Sequence, residues 1–437
     1  MNQPSLPKPE NIGDGSGSER REGPKRVVLL LPSATYRTDF VEAAEALGLE
    51  VVVASNVRQA MARDMGDRAI VVNFAKVAES VAVIIDLHRR APVHAVIAVD
   101  EQGVALAASA SASLGFSHNP PAAVEATRDK LRLRNALRDQ GVSQPAFVAY
   151  GPSATGPSAR DRVEELGGFP VVVKPLHLSG SQGVIRVDDP SSLAGVIERV
   201  RTIACAPNDP VLIEQYVPGV EVAVEGLLRD GVFEVLAVFD KPDPLVGPYF
   251  EETMYVTPSR LPTAMLAHVE ALVGESLSAL GLVEGPVHAE VRIDEAAGND
   301  PRPMWIIEVA GRSIGGLCAR TLRFGLGITL EQVILRHALN MPLPNLRRER
   351  VASGVLMLPI EGGGVLERVD GLDEVRAILG IRGVEITVPL GTAVKPVPEA
   401  DRYLGFVFAT AGTPAEVEVA LRAARSRINP IYGTVGS

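Results

Sequence analysis

Short apolar runs alternate with amphipathic stretches along most of this chain. Residues 26–31 are continuously apolar after Arg26, as in a strand buried on both faces. Residues 38–47 place Phe40, Val41, Ala44 and Leu47 on one side of a 3.6-residue period, which predicts a helix. Residues 50–54, 67–72 and 95–99 read as further strands, and 77–90 as a helix. Strands alternating with helices predict a parallel sheet with covering helices, here a first domain over residues 25–125. An Ala- and Ser-rich helix over 102–115 and the break at Asn119-Pro120-Pro121 close it.

The pattern then shifts. A charged helix over 129–140, a strand at 147–150 and a Gly-, Pro- and Ser-rich loop at 151–158 lead into a lobe expected over about 159–240. Its predicted parts are a helix through Val163 and Leu166, strands at 171–174 and 184–187, a helix at 191–203, and strands at 211–216, 221–228 and 233–239. Arg229-Asp230-Gly231 turns between the last two, so a small, mostly antiparallel sheet carrying helices is expected. A helix over 263–280 precedes two apolar strands near 287–293 and 303–309, linked by the turn-forming Ala297-Gly298-Asn299-Asp300, and a helix at 328–339 ends a second domain over 126–345. Beyond residue 346, Gly362-Gly363-Gly364, strands at 383–388 and 404–409 and a helix near 414–427 predict a small α+β cap over 346–437. The class is therefore mixed α/β and α+β.

Composition narrows the partners. A chain of 437 residues is too long for one ordinary core, which agrees with several lobes. With aromatics at only 4%, the core must be Val, Leu, Ala and Ile. A net charge of −10 argues against nucleic acid as a partner but allows a local basic pocket. Cys205 and Cys318 make neither a disulfide framework nor a zinc site, which suits a reducing cytoplasm. No apolar stretch approaches the roughly 20 residues of a membrane span. Residues 1–24 are polar, lack the apolar segment of a secretory signal and read as a disordered tail.

The chemistry-bearing residues fall in the second domain. Lys174 ends the run Val171-Val172-Val173, and a lysine leaving a buried strand needs an anion unless its head snorkels to water. Ser179-Gly180-Ser181-Gln182-Gly183 follows. It lacks the ending of a P-loop, but a turn between strands can offer backbone N–H groups and two hydroxyls to phosphate; alternatively it is a plain tight hairpin. Lys130 is a second candidate phosphate contact or one more charge on a solvated helix. The connector Glu214-Gln215-Tyr216-Val217 can expose backbone groups to an adenine edge, with Glu221 placed to accept from ribose hydroxyls; as a surface turn it would do neither. Glu290 and Glu308 each interrupt an apolar strand, and the two strands are neighbours in sequence. As a hairpin they would bring two carboxylates together, a pairing that calls for a cation; separate salt bridges, as with Arg292 or Arg302, are the alternative. Arg312, beside Gly315-Gly316, could bind a reacting anion bidentately. Asp100-Glu101 falls just past a strand's C-terminal end, a position for either a ligand contact or a solvated loop acid. No Gly-x-Ser-x-Gly elbow occurs, and His288 reads as a strand histidine.

In this order the motifs resemble the ATP-grasp superfamily over about residues 25–345. The resemblance implies an N-terminal parallel α/β lobe, a small antiparallel lid lobe, a central ATP- and metal-binding lobe and a C-terminal α+β cap, with ATP between two lobes. It implies Lys130, Lys174, Ser179, Gly180, Ser181 and Gly183 at the phosphates. Glu214, Gln215, Tyr216 and Val217 would hold adenine, and Glu221 ribose. Glu290 and Glu308 would carry Mg²⁺, for which Mn²⁺ could substitute. Lys174 and Arg312 would be catalytic. Many members have Asn two residues after the second metal Glu; Ala310 stands there in this chain, so a water or phosphate oxygen must complete the coordination. The resulting Glu-x-Ala-x-Arg, with Phe239-Asp240-Lys241-Pro242 and the stretch from Pro248 to Arg260, is similar to the branch of bacterial L-amino-acid ligases that make dipeptides. That similarity implies a cytoplasmic ligase that activates a carboxylate as an acyl phosphate and joins it to an amine. Tyr249, Glu252, Arg312, Gly315, Gly316 and Arg320 are then candidate substrate contacts, Glu252 for an α-amino group and Arg320 for a carboxylate. A homodimer through the first lobe follows by analogy alone. The competing readings are a biotin-carboxylase-like or purine-pathway ligase using bicarbonate or formate, and a non-catalytic ATP-binding regulatory module.

Overall fold

The computed structural model describes residues 26–32, 38–56, 70–152, 158–296 and 302–434. The expected tail over 1–24, the start of the 67–72 strand, most of the 151–158 loop and the turn at 297–300 lie outside the described residues.

The first domain is a parallel sheet of four strands in the order Ile70–Val71, Glu50–Ser55, Val27–Leu31, Ala95–Ala98. The all-apolar strand Val27–Leu31 has two faces and buries both. Leu29 and Leu31 pack with Ile84, Leu87 and Leu106 of two covering helices. Val28 and Leu30 pack with Phe40 and, across the domain boundary, with Ile334 and Leu335 of the helix Leu330–Ala338. The first domain therefore docks on the second through one face of its own sheet.

The lid is an antiparallel sheet in the order Phe147–Tyr150, Val211–Gln215, Val171–Lys174, Ile185–Val187, packed beneath the helices Ala159–Glu165 and Pro190–Ile203. It ends earlier than the sequence suggests. The strands Val220–Arg229 and Val232–Asp240, expected in the lid, belong instead to a central sheet of eight strands. Val220–Arg229 is central there: it pairs along its length with Gly285–Ile293 on one side and Val232–Asp240 on the other. Its near-unbroken apolar run reflects two buried faces.

The strands of the C-terminal region join the same sheet. The strand Met254–Thr257 pairs with Ala352–Leu358, which pairs with Gly405–Ala411, which pairs with Ile381–Ile386, so the central sheet runs on into the last hundred residues. An open edge at Met254–Thr257 would leave backbone donors and acceptors without partners, and the C-terminal strands fill it. Only Ala393–Val394, Gly364–Asp370 and Asn429–Gly433 form a sheet of their own. The helix Pro414–Arg425 presses on the join: a Cβ on Gly354 would stand 2.7 Å from Val417. Among the described residues no helix is long and apolar enough to cross a membrane.

Candidate functional site

A cleft of about 670 Å³ opens between the lid and the central sheet. Its roof is the turn after Val171–Lys174, with Leu178, Ser179 and Ser181 on the wall; its floor is the hairpin Gly285–Ile293 and Met304–Ala310. The turn needs residues that tolerate left-handed backbone, and Gly180, Ser181 and Gly183 have φ of 62°, 58° and 71°.

The hairpin forms in the register that makes Glu290 and Glu308 direct cross-strand partners, with an irregularity immediately after Glu290. Both line the cleft. Glu290 is already neutralised from one side: Lys241 Nζ lies 3.0 Å from its Oε1, and His288 Nε2 lies 3.6 Å away. Burial opposes the charge on Glu290, but Lys241 and His288 hold its carboxyl well below the usual carboxylate range. His288 Nδ1 in turn meets Glu225 Oε1 at 2.5 Å, and the Ile314 N–H donates to the other Glu225 oxygen at 3.1 Å. Burial alone would strip the His288 proton, yet Glu225 and Glu290 raise its pKa to about 9.

Lys241 is the centre of a larger group. Its ammonium also donates to Glu221 at 2.6 Å and to Glu252, and Glu221, Glu252 and Glu290 bring carboxylate oxygens within 4.8 Å of one another. Arg292 reaches the second Glu221 oxygen at 2.9 Å. Burial, reinforced by the charge on Glu290, pushes Glu252 up to about 7 against the pull of Lys241. Lys241 already occupies the cation position among Glu221, Glu252 and Glu290; on the cleft floor Glu290 and Glu308 offer the hard carboxylate oxygens that Mg²⁺ takes, so that pair fits the ion.

At the roof, Lys174 Nζ lies 2.5 Å from Glu214, and Arg134 Nε lies 2.6 Å from the same carboxylate. Burial would protonate Glu214, but Arg134 and Lys174 pull its carboxyl down to about 2. Arg134 also donates to the Ile306 and Ile307 carbonyls, each at 2.9 Å, which ties roof to floor. Lys130 begins the helix Lys130–Asp139, capped by the Asp129 side chain, and its ammonium reaches the Leu178 carbonyl. Arg312 Nε donates at 2.5 Å to Glu101, so the acid at the end of the first domain's sheet serves the second domain's arginine. Burial works against the charge on Arg312, while Glu101 and Glu308 raise its pKa.

Three regions of the chain match known domain families. Residues 167–321 match the ATP-grasp domain, 41–118 the ATP-grasp N-terminal domain, and 356–433 the L-amino acid ligase C-terminal domain 2. The chain belongs to the ATP-grasp superfamily. The crystal structure of an L-amino acid ligase from Bacillus licheniformis is 26% identical with a TM-score of 0.76, covering 94% of this chain and 100% of that one. Alanine–anticapsin ligase of Bacillus subtilis (strain 168) is 25% identical over 256 residues, 54% of this chain and 52% of that protein. The chain thus spans about half the length of that curated relative. Carboxyaminoimidazole ribonucleotide synthase of Aspergillus clavatus, solved with ATP, shares the fold at a TM-score of 0.70 and 18% identity, over 93% of this chain and 99% of that one.

Of the residues singled out in this ATP-grasp chain, Lys130, Lys174, Ser179, Ser181, Glu214, Gln215, Tyr216, Val217, Glu221, Glu252, Glu290 and Glu308 line one cleft. The connector is less open than expected: the N–H groups of Gln215 and Tyr216 donate to Ala146 and Pro170, and the Val217 carbonyl accepts from Arg292. Glu214 and Glu221 spend their side chains on cations rather than standing free. Gly180 and Gly183 of the turn are not among the lining residues, nor are five of the six substrate candidates, Tyr249, Arg312, Gly315, Gly316 and Arg320. Arg320 does not line the cleft; its guanidinium is held by Asp39 of the first domain and Glu385 of the C-terminal region, which clamps three parts of the chain together. The Tyr249 hydroxyl accepts from Arg199 of the lid helix at 3.0 Å. Gly316, at φ 58°, makes room for the Phe406 ring: a Cβ there would lie 2.8 Å from it. Lys241 was not singled out although its signal is that of Lys174, a lysine leaving an apolar strand just before a proline.

Proposed function

We propose that the chain is an ATP-dependent carboxylate–amine ligase that joins an amino acid, through its carboxylate, to an amine by way of an acyl phosphate. The observation that carries this reading is the cross-strand pairing of Glu290 with Glu308 on the floor of a cleft whose roof supplies Lys174 and a left-handed glycine turn. On this reading the partners are small molecules, a carboxylate and an amine, with ATP in the cleft. The similarity to an L-amino acid ligase over nearly the whole chain supports the choice of amino acids.

Each side chain has a task. Lys174 and Lys130 bind phosphate oxygens; Lys174 is poised for this because burial makes its charge costly and Glu214 balances only part of that cost. Glu290 and Glu308 would hold Mg²⁺, which would supply positive charge against the charge that develops during phosphoryl transfer. Arg312, fixed by Glu101, orients the substrate carboxylate and then the acyl phosphate. Glu252 faces the α-amino group, since an ammonium beside it would return its carboxyl to the charged form. The turn over Ser179–Gly183 keeps water from the acyl phosphate until the amine attacks its carbonyl carbon and phosphate leaves.

The test is ADP release and product mass with amino acids singly and in pairs, against bicarbonate and formate. The expected product is lighter than the sum of the two acids by one water. Glu308→Gln should lower turnover by about 10²–10³-fold, the usual cost of losing one group aimed at developing charge, with the circular dichroism spectrum unchanged. Near-normal turnover of Glu308→Gln would sink the assignment.

A further inference from the structure

The roof of the cleft is held from an unexpected side. The Gly183 N–H donates to the Pro398 carbonyl at 3.0 Å, and the Gln182 amide donates to the Glu399 carbonyl at 3.2 Å. Both acceptors sit between Ala393–Val394 and Gly405–Ala411 in the C-terminal region, more than two hundred residues from the turn. One layer behind, Arg199 on the lid helix Pro190–Ile203 meets the Glu399 carboxylate with two parallel bonds, Nε to Oε1 at 2.8 Å and a terminal nitrogen to Oε2 at 3.1 Å. The third Arg199 nitrogen donates to the Tyr249 hydroxyl. The lid is therefore gripped at the turn and at the helix by one short C-terminal segment.

We infer that Glu399 and Arg199 form a latch by which the C-terminal region holds the Ser179–Gly183 turn down over the cleft, making Glu399 a positioning residue for the reaction. The inference rests on the reading that a nucleotide occupies the cleft. A fork-to-fork guanidinium–carboxylate pair fixes orientation as well as distance, which a lone hydrogen bond does not. Pro398 and Glu399 carry the turn's two backbone-directed bonds on the same segment, so displacing the carboxylate loosens the turn itself. Neither Glu399 nor Arg199 lines the cleft, so the pair acts only through the lid. An open lid releases nucleotide sooner and admits water to an activated carboxylate, which would then be hydrolysed to the free acid and phosphate.

The experiment reads the lid without chemistry first. Release of a fluorescent, non-hydrolysable ATP analogue with Mg²⁺ is followed by stopped flow for the full chain, Glu399→Gln, Arg199→Gln and the exchange Arg199→Glu with Glu399→Arg. Each single change should speed release about three- to tenfold, the span set by a partly exposed but bidentate pair, and the exchange should return it to within about twofold of the parent. Melting temperatures that stay together show that the fold is intact. With ATP and substrates, the single variants should form more ADP per amide bond, with KM for ATP rising more than kcat falls, and the exchange should restore the ratio. Unchanged release in both single variants overturns the latch, as does faster release that the exchange does not reverse. A parent chain that binds the analogue but forms no amide overturns the ligase reading alone, because the release rates still decide the latch. A parent chain that binds no analogue overturns the nucleotide reading and the latch with it.

Discussion

At the Glu214 carboxylate two buried cations meet, one from the strand Val171–Lys174 and one from the helix Lys130–Asp139. Its pKa falls from 4.5 to about 2. Because the folded value is the lower one, its contribution is full above pH 4.5 and disappears as the pH falls towards 2. A shift of this size corresponds to about 3 kcal/mol, so urea unfolding should show stability dropping through that window. Glu214→Gln should already be destabilised at neutral pH by about 3–5 kcal/mol, because Lys174 and Arg134 are left buried without their anion, and its acid dependence should be shallower. An unchanged acid profile would mean that Glu214 does not hold the two cations together. Lys174, Glu290 and Glu308 are legible in the sequence because a charge in an apolar strand is anomalous in any context. Asp100-Glu101 stands out only by its place after a strand; Glu225 and Arg134 are not picked out, because their partners lie 63 and 80 positions away and only the fold brings them into contact.

Elements with a clean period were the readable ones. The helices Val77–Arg90 and Thr263–Leu280 and the strand Phe147–Tyr150 stand where the apolar spacing puts them. Met254–Thr257 and Ala352–Leu358 escaped: the first is buried at all four positions and so shows no alternation, and the second is interrupted by Gly354, whose missing side chain serves the helix packed above it. The same economy governs Gly316. Gly316→Ala would force a Cβ into left-handed backbone and against Phe406, at an expected cost of about 1–3 kcal/mol. Chemical denaturation measures this, and Gly316→Ala combined with Phe406→Leu should recover part of the loss. No recovery would assign the whole cost to the backbone.

Across the whole molecule, the central sheet crosses the boundary expected near residue 346. Hydrophobic patterning marks where strands are, but not which edge a strand will join, and a sheet that crosses a boundary leaves no local trace. Ending the chain at residue 345 would remove Ala352–Leu358 and strip its partner bare, exposing Met254–Thr257, whose four residues are all buried. The shortened chain should be recovered mainly as aggregate, in contrast to the parent, when soluble fractions are compared by sedimentation. A soluble, cooperatively melting fragment would show that the region folds as an independent cap.

The same seam sets an order for synthesis. Met254–Thr257 leaves the ribosome well before Ala352–Leu358 has been made, and at about 5–20 residues per second the interval is several seconds. Through that interval the nascent chain carries a half-finished sheet with an apolar, unpaired border. A strand made later, Ala352–Leu358, is thus the one that seals this border, and the cell must keep it covered until that strand arrives.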